Sequence, residues 1–291
     1  MSSTSKARQR IYSLLDANSF VEVGALVKAR ATDFNMAPAC EASDGVITGY
    51  GLVDGRLVYV YSQDAEVLGG SIGEMHARKI VNLYRMARRT GAPVIGMIDS
   101  AGLRLQEGVD ALDAFGKIYA EQAKASGVIP QISAVFGNCG GGLALLAAMA
   151  DFAFMENEAR LFVNSPNALA GNFEEANNTA SASNKAASGA VDFVGTQEEI
   201  LGQIRFLAGL LPSNNEDEAA QECADDLNRI CPSAAAFVDD PKAALYEIAD
   251  NGLFFESKRD FAKEMFAGLA RLGGTTVGII ANRSASFDEN G

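Results

Sequence analysis

Two short glycine-bearing segments could do chemistry with backbone groups rather than side chains. One runs Asp99-Ser100-Ala101-Gly102-Leu103-Arg104-Leu105-Gln106-Glu107-Gly108, and the other Gly137-Asn138-Cys139-Gly140-Gly141-Gly142. Each follows an apolar run that reads as a buried strand, residues 92–99 and 128–136, and the second leads straight into an alanine-rich helix over 143–149. In α/β sheets, ligands gather at the carboxyl ends of strands. Free N–H groups at such a turn hold an anion, or an oxyanion that forms only during reaction, where one lost donor costs about 3–4 kcal/mol of barrier. Glycine leaves the approach open because it has no Cβ. Gly141 and Gly142 are therefore candidate oxyanion donors, with Gly102 and the N–H of Leu103 supplying a second donor from the neighbouring loop. The bland alternative is that the glycines only allow tight helix–strand packing.

Other side chains leave fewer options. His76 is the only histidine and falls inside a helical pattern, and no H-E-x-x-H, Walker A or G-x-S-x-G pattern is present. A Ser-His-Asp hydrolase is thereby disfavoured. Glu107 lacks a partner for acid/base work. Arg104 reads either as a phosphate or loop contact or as an ion-pair partner of Glu107. Gly69-Gly70-Ser71 either touches a ligand or simply turns the chain. Cys40, Cys139, Cys223 and Cys231 form no C-x-x-C pair, so no zinc ribbon or other metal site is expected.

These segments need a scaffold, and the hydrophobic pattern supplies one. Residues 6–16 read as an amphipathic helix, and two β-rich runs within 45–64 flank Asp54-Gly55 as a hairpin. Helices follow over 73–90 and 109–126, strands over 152–155 and 160–163, and a helix over 196–211 with Thr196 and Glu199 at capping-box spacing. Residues 171–186 read as an exposed loop or weak helix, and 212–230 as an acidic linker. Short helices are expected over 241–250 and 260–272, then a strand over 275–282 that either closes the preceding sheet or begins another domain. The recurring strand–strand–helix unit indicates an α/β fold with right-handed crossovers.

The chain has 291 residues, and its 48% hydrophobic content suffices for a sizeable core. A formal net charge of −13 argues against a nucleic-acid binder, although a phosphorylated small molecule needs only a few local cations. The polar N-terminus and the lack of a long apolar run predict a soluble, intracellular protein, and the unpatterned cysteines suit a reducing cytoplasm.

Four stretches, in this order, resemble the biotin-dependent acyl-CoA carboxyltransferases: SDGVITGYGLVDGRLVYVYSQDAEVLGGSIGEMHARKI, SAGLRLQEGVDAL, ASGVIPQISAVFGNCGGGLALLAAMADFAFM and LFFESKRDFAKEMFAGLARLGGTTVGIIANRS. The resemblance runs from about residue 6 to 284 and covers the beta subunits of propionyl- and acetyl-CoA carboxylases and the alpha subunits of sodium-pump decarboxylases. It implies the crotonase (ClpP-like) superfamily fold, a ββα superhelix. It also implies transfer of CO2 between N1 of biotin and the α-carbon of a CoA thioester, with backbone N–H groups stabilising the enolate. On that pattern the enolate hole falls on Gly141-Gly142 with Gly102-Leu103 beside it, and Gly69, Gly70, Ser71, Arg104 and Gly140 are the candidate acyl-CoA contacts. Residues 1–272 correspond to the acyl-CoA-binding half, and 273–291 to the start of a second half that is truncated or separately encoded.

No Met-Lys-Met biotinylation site is present, so the resemblance implies a separate biotin carboxyl carrier protein. The other implied partners are the second carboxyltransferase half, further copies in a homo-oligomer and, for a decarboxylase, a membrane component. Ala101 stands where the pattern has glycine, Gly140 where it has alanine, and Val191 where many relatives have histidine. A non-catalytic scaffold that keeps this fold is the alternative expectation.

Overall fold

A computed structural model describes residues 5–31, 43–168, 178–218, 222–223, 225–226, 228–232 and 240–284. Its centre is an eight-stranded sheet. Strands β1 (Val21–Val23), β2 (Val46–Val53) and β3 (Arg56–Gln63) are antiparallel; β4 (Val94–Ser100), β5 (Gln131–Gly140), β6 (Phe152–Glu156) and β8 (Phe193–Gly195) continue in parallel. The short β7 (Arg160–Phe162) pairs with the far end of β5.

Alternation along the strands builds two cores. Tyr59, Tyr61, Val94, Ile98 and Val135 face helices α2 (Glu74–Thr90) and α3 (Val109–Ala125), where Ile80, Leu83, Tyr84 and Ile118 are buried. Val58, Val60, Ile95, Met97, Ile132 and Phe154 face the opposite way, onto α1 (Lys6–Leu14) and α6 (Gln197–Leu210). A parallel sheet covered on both faces explains why β4 and β5 read as continuous apolar runs. Gly96 is required in this stack, since a Cβ there would lie 2.3 Å from the Tyr61 ring.

Local signals set the ends of these elements. Asp54 (φ 49°) and Gly55 (φ 78°) make the two-residue turn between β2 and β3, as their sequence predicts. The capping box on α6 is formed: Thr196 Oγ1 accepts from Glu199 N–H at 3.3 Å, and Glu199 Oε2 accepts from Thr196 N–H at 2.8 Å. These bonds hold the Glu199 carboxyl below its ordinary range. Thr196→Ala should cost about 1 kcal/mol, readable as a lower urea midpoint at unchanged slope.

Two expectations are corrected and an open one is decided. Residues 260–272 do not form a helix. Met265–Leu272 is a strand, β10, paired along its whole length with β11 (Thr275–Asn282) and in part with β9 (Phe254–Ser257). Met, Ala, Leu and Arg favour helix locally, but Gly273 and Gly274, both at positive φ, close a tight hairpin. Phe266 and Ala270 are then buried on alternate positions, with Phe266 packing beside Leu245 of α7 (Pro241–Ile248). Second, of the two fates left open for the strand over 275–282, closing the large sheet is excluded: β11 is an edge of this separate three-stranded one. Third, β5 does not stop at Phe136 but runs on through Gly140, so the turn proper is Gly141-Gly142 before α4 (Leu143–Ala148). The loop expected over 171–186 lies partly outside the described residues, but within it Ala182–Ala187 is a short helix, α5, capped by Ser181.

Candidate functional site

The two glycine segments meet at the carboxyl end of the sheet. A register shift between Ile98 and Ser100 brings Ser100 opposite Cys139, so both loops leave the sheet side by side. Gly102 has φ +94°, and a Cβ on it would lie 3.5 Å from the Gly140 carbonyl oxygen.

The direction of each amide decides what the turns can hold. Gly141 N–H donates to the Phe162 carbonyl at 2.9 Å, extending the β5–β7 ladder by one residue. Gly102 N–H donates to Ser100 Oγ at 3.0 Å. Both of these candidate donors are therefore already occupied. Gly142 and Leu103 differ. The Gly141 carbonyl accepts from Ala144 N–H at 3.1 Å and so points into α4. Across a trans peptide the Gly142 N–H then points away from the helix, at an exposed residue. Ile72 N–H donates to Gly102 O at 2.8 Å, and Arg104 N–H donates to Ile72 O at 3.0 Å, which is a short parallel bridge. The alternation of an extended chain turns the N–H of Leu103 away from Ile72. Among the described residues neither Gly142 N–H nor Leu103 N–H has a protein acceptor.

The supports behind these turns are polar and buried. Arg104, only 2% exposed, donates from Nε to Ser71 Oγ at 3.2 Å, from Nη2 to Ser71 O at 2.6 Å and from Nη1 to Glu107 Oε1 at 2.9 Å. Nη1 also lies 2.7 Å from Asp44 Oδ1. The guanidinium is enclosed and engaged by these partners, so Arg104 does not reach toward a ligand. The reading as an ion-pair partner of Glu107 is the one the geometry bears out. Glu107 Oε2 in turn accepts from Glu74 N–H at 2.6 Å. Gly73 gives this cluster room, because a Cβ there would sit 2.2 Å from Glu107 Oε1.

Ser71 likewise faces inward, donating to Leu68 O at 2.7 Å. Gly69 O accepts from Ala101 N–H at 2.8 Å, and a Cβ on Gly70 (φ +63°) would meet Asp99 O at 2.5 Å. Gly69-Gly70-Ser71 thus docks the α2 loop onto the β4 loop. Gly140 makes space for the Phe162 ring, 2.7 Å from where its Cβ would be.

His76 is fully buried, its ring nitrogens taken by Gln63 Nε2 at 3.2 Å and the Asp44 carbonyl at 2.9 Å. The Gln63 amide donates to Nε2, so Nδ1–H donates to the carbonyl, an assignment that follows from the bond pattern. Burial first, then the nearby Arg104 charge, lowers its pKa to about 3 and keeps it neutral. Burial raises the Asp44 carboxyl, with Arg104 opposing. Burial also pushes the Cys139 thiol up to about 12, too high for a thiolate nucleophile. Among the described residues no group of three or more His, Cys, Asp or Glu side chains is arranged to hold a metal ion. None of the described helices is long and apolar enough to cross a membrane.

Tyr119, on α3, was not among the sequence candidates. Its hydroxyl donates to the Gly142 carbonyl at 2.6 Å, and its ring packs 5.9 Å from that of Phe115. The only sequence signal was the i, i+4 spacing of two aromatic residues on a helix that leads out of the Arg104 loop.

The sheet presents backbone amides at one corner of its carboxyl end, and residues 3–288 match the carboxyl transferase domain family, to which this chain belongs. It is 41% identical to the methylmalonyl-CoA decarboxylase subunit alpha of Veillonella parvula, over 95% of this chain and 57% of that one. It is also 41% identical to the propionyl-CoA carboxylase beta chain of Roseobacter denitrificans, over the same shares. Among solved structures it resembles a transcarboxylase 12S hexamer core with methylmalonyl-coenzyme A bound, at TM-score 0.87 and 35% identity, over 95% of this chain and 56% of that one. The fold is that of the crotonase superfamily, as the resemblance implied. The chain spans little more than half the length of these relatives.

Proposed function

We propose that this chain supplies the acyl-CoA-binding half of a biotin-dependent carboxyltransferase that moves CO2 between carboxybiotin and the α-carbon of a short-chain acyl-CoA. The observation that carries the reading is the pair of N–H groups, Gly142 and Leu103, left without acceptors on adjacent loops in a member of this family. Negative charge on the thioester oxygen during enolate formation is what two such donors stabilise. The roles of Gly141 and Gly102 are then conformational: each fixes the turn that aims its neighbour's amide. Gly140 and the Gly69-Gly70-Ser71 loop shape the wall behind them, and Arg104 holds that wall from within.

In this reading residues 1–272 form the acyl-CoA side and 273–291 lead toward the second half. The biotin arrives on a separate carrier protein, and the assembly is a homo-oligomer in the cytoplasm. Biotin needs no cradle in this chain, because the same reading puts its site in the second half. The relatives named as decarboxylase and as carboxylase use one half-reaction in opposite directions.

Titration calorimetry with acetyl-, propionyl- and methylmalonyl-CoA tests the reading. Binding of at least one thioester, tighter than free coenzyme A, is expected. Absence of heat with all three would leave a scaffold as the better description.

A further inference from the structure

We infer that Tyr119 is a positioning residue for the enolate hole: its hydroxyl locks the peptide that follows Gly142 and thereby aims the donors of that turn. This rests on the function proposed above. The Gly142 carbonyl accepts twice, from Leu145 N–H at 3.1 Å along α4 and from Tyr119 O–H at 2.6 Å across from α3. The first bond belongs to a six-residue helix that starts at Leu143, so it gives little rigidity by itself. The second ties the turn to α3, a 17-residue helix packed in the main core.

The geometry leaves the hydroxyl little freedom. Phe115 flanks the Tyr119 ring, and the position of a Gly142 Cβ lies 2.7 Å from Tyr119 Oη and 3.5 Å from the Phe115 ring. Burial, with Cys139 nearby, raises the Tyr119 pKa, so the hydroxyl stays protonated and remains a donor. Fixing this carbonyl fixes the plane of the Gly142–Leu143 peptide and so the orientation of Gly142, whose own N–H is the proposed donor. Tyr119 touches no reacting atom in this scheme. It acts through the Gly142 peptide.

The test compares two ligands on the full chain. One is propionyl-CoA; the other is the 2-nitro analogue of propionyl-CoA, whose nitronate carries negative charge on oxygen as the enolate does. Tyr119→Phe keeps the ring and removes one oxygen, so the helix packing stays. The variant is expected to bind the nitronate about three- to tenfold more weakly while its affinity for propionyl-CoA is unchanged, the split that transition-state-directed donors produce. Equal weakening of both ligands, or no change for either, overturns the assignment of Tyr119. A wild-type protein that does not prefer the nitronate over the thioester overturns instead the oxyanion reading beneath it. A second measurement needs no variant: in the wild-type protein, the amide resonances of Gly142 and Leu103 should shift on adding the nitronate, and if they stay put the oxyanion reading fails and takes the role of Tyr119 with it.

Discussion

Replacing Arg104 with methionine should remove about 3–5 kcal/mol of folding stability, the range for breaking a buried ion pair by deleting one partner. The side chains of Asp44 and Glu107 are both fully enclosed against this guanidinium, and their side-chain exposure is 0% in each case. Methionine fills much of the volume but removes the one cation that lies directly against both buried carboxylates. The sign of the pH dependence follows from linkage. Burial already raises the Asp44 carboxyl against the opposing Arg104 charge; without that charge Asp44 holds its proton to higher pH, so the folded variant binds more protons than its unfolded chain, where acids have ordinary pKa values. The variant therefore loses stability as pH rises through the raised Asp44 range, and its deficit relative to wild type should be smaller at pH 5 than at pH 8. Urea titrations at the two pH values measure this directly. A deficit below about 1 kcal/mol at pH 8 would mean that solvent reaches the cluster more freely than the geometry indicates. The double variant Arg104→Met/Glu107→Gln should recover part of the loss, because it removes one of the stranded charges.

The cluster also links stability to the site. Arg104 fastens the Ser71 loop, the Ile72–Leu103 bridge and the 105–107 turn at one point. Losing it should loosen the Leu103 amide before the sheet itself, since β4 and β5 are held by their own ladder and two cores.

Much of this was legible in the sequence, for identifiable reasons. Long periodic segments carry their own signal, so α2, α3 and α6 are close to where the apolar spacing put them, and Asp54-Gly55 announced its hairpin. Continuous apolar runs marked β4 and β5 because both their faces are covered. The hairpin of β10 and β11 was half missed, because its first strand is written in residues that favour helix and only its partner strand reveals the period of two. At the site, glycine spacing named four candidate amides on two loops, and the fold commits two of them, Gly141 and Gly102, to protein acceptors. Which N–H is free depends on the Phe162 carbonyl, 21 positions away, and on the Ser100 hydroxyl two residues before Gly102, a local turn bond that the glycine spacing does not show. Arg104 was ambiguous for the same reason: its partners Ser71 and Asp44 lie 33 and 60 positions away along the chain, and only the fold closes them around it.

Gly142→Val separates the amide proposed to face the ligand from the one proposed only to shape the turn. Gly142 has φ −57° and ψ −26°, so a side chain brings no backbone strain there. The obstacle is space: its Cβ would lie 2.7 Å from Tyr119 Oη, and the valine methyls would crowd the exposed face of the turn. Either Tyr119 withdraws or the Gly142 peptide rotates, and both outcomes spoil the donor. The crowding methyls should lower acyl-CoA binding by at least about tenfold, and the spoiled donor should lower turnover in the assembled enzyme by about 10²–10³-fold, the usual effect of losing one oxyanion donor. Gly141→Ala is the control. Its φ of +64° makes alanine cost about 1 kcal/mol of stability, yet nothing lies within 4 Å of the added Cβ, and its N–H is committed to Phe162 in any case. That variant should be less stable but still bind acyl-CoA. If the two substitutions weakened binding equally, the ligand would be reading the shape of the whole turn, and the assignment of Gly142 as the donor would have to be given up.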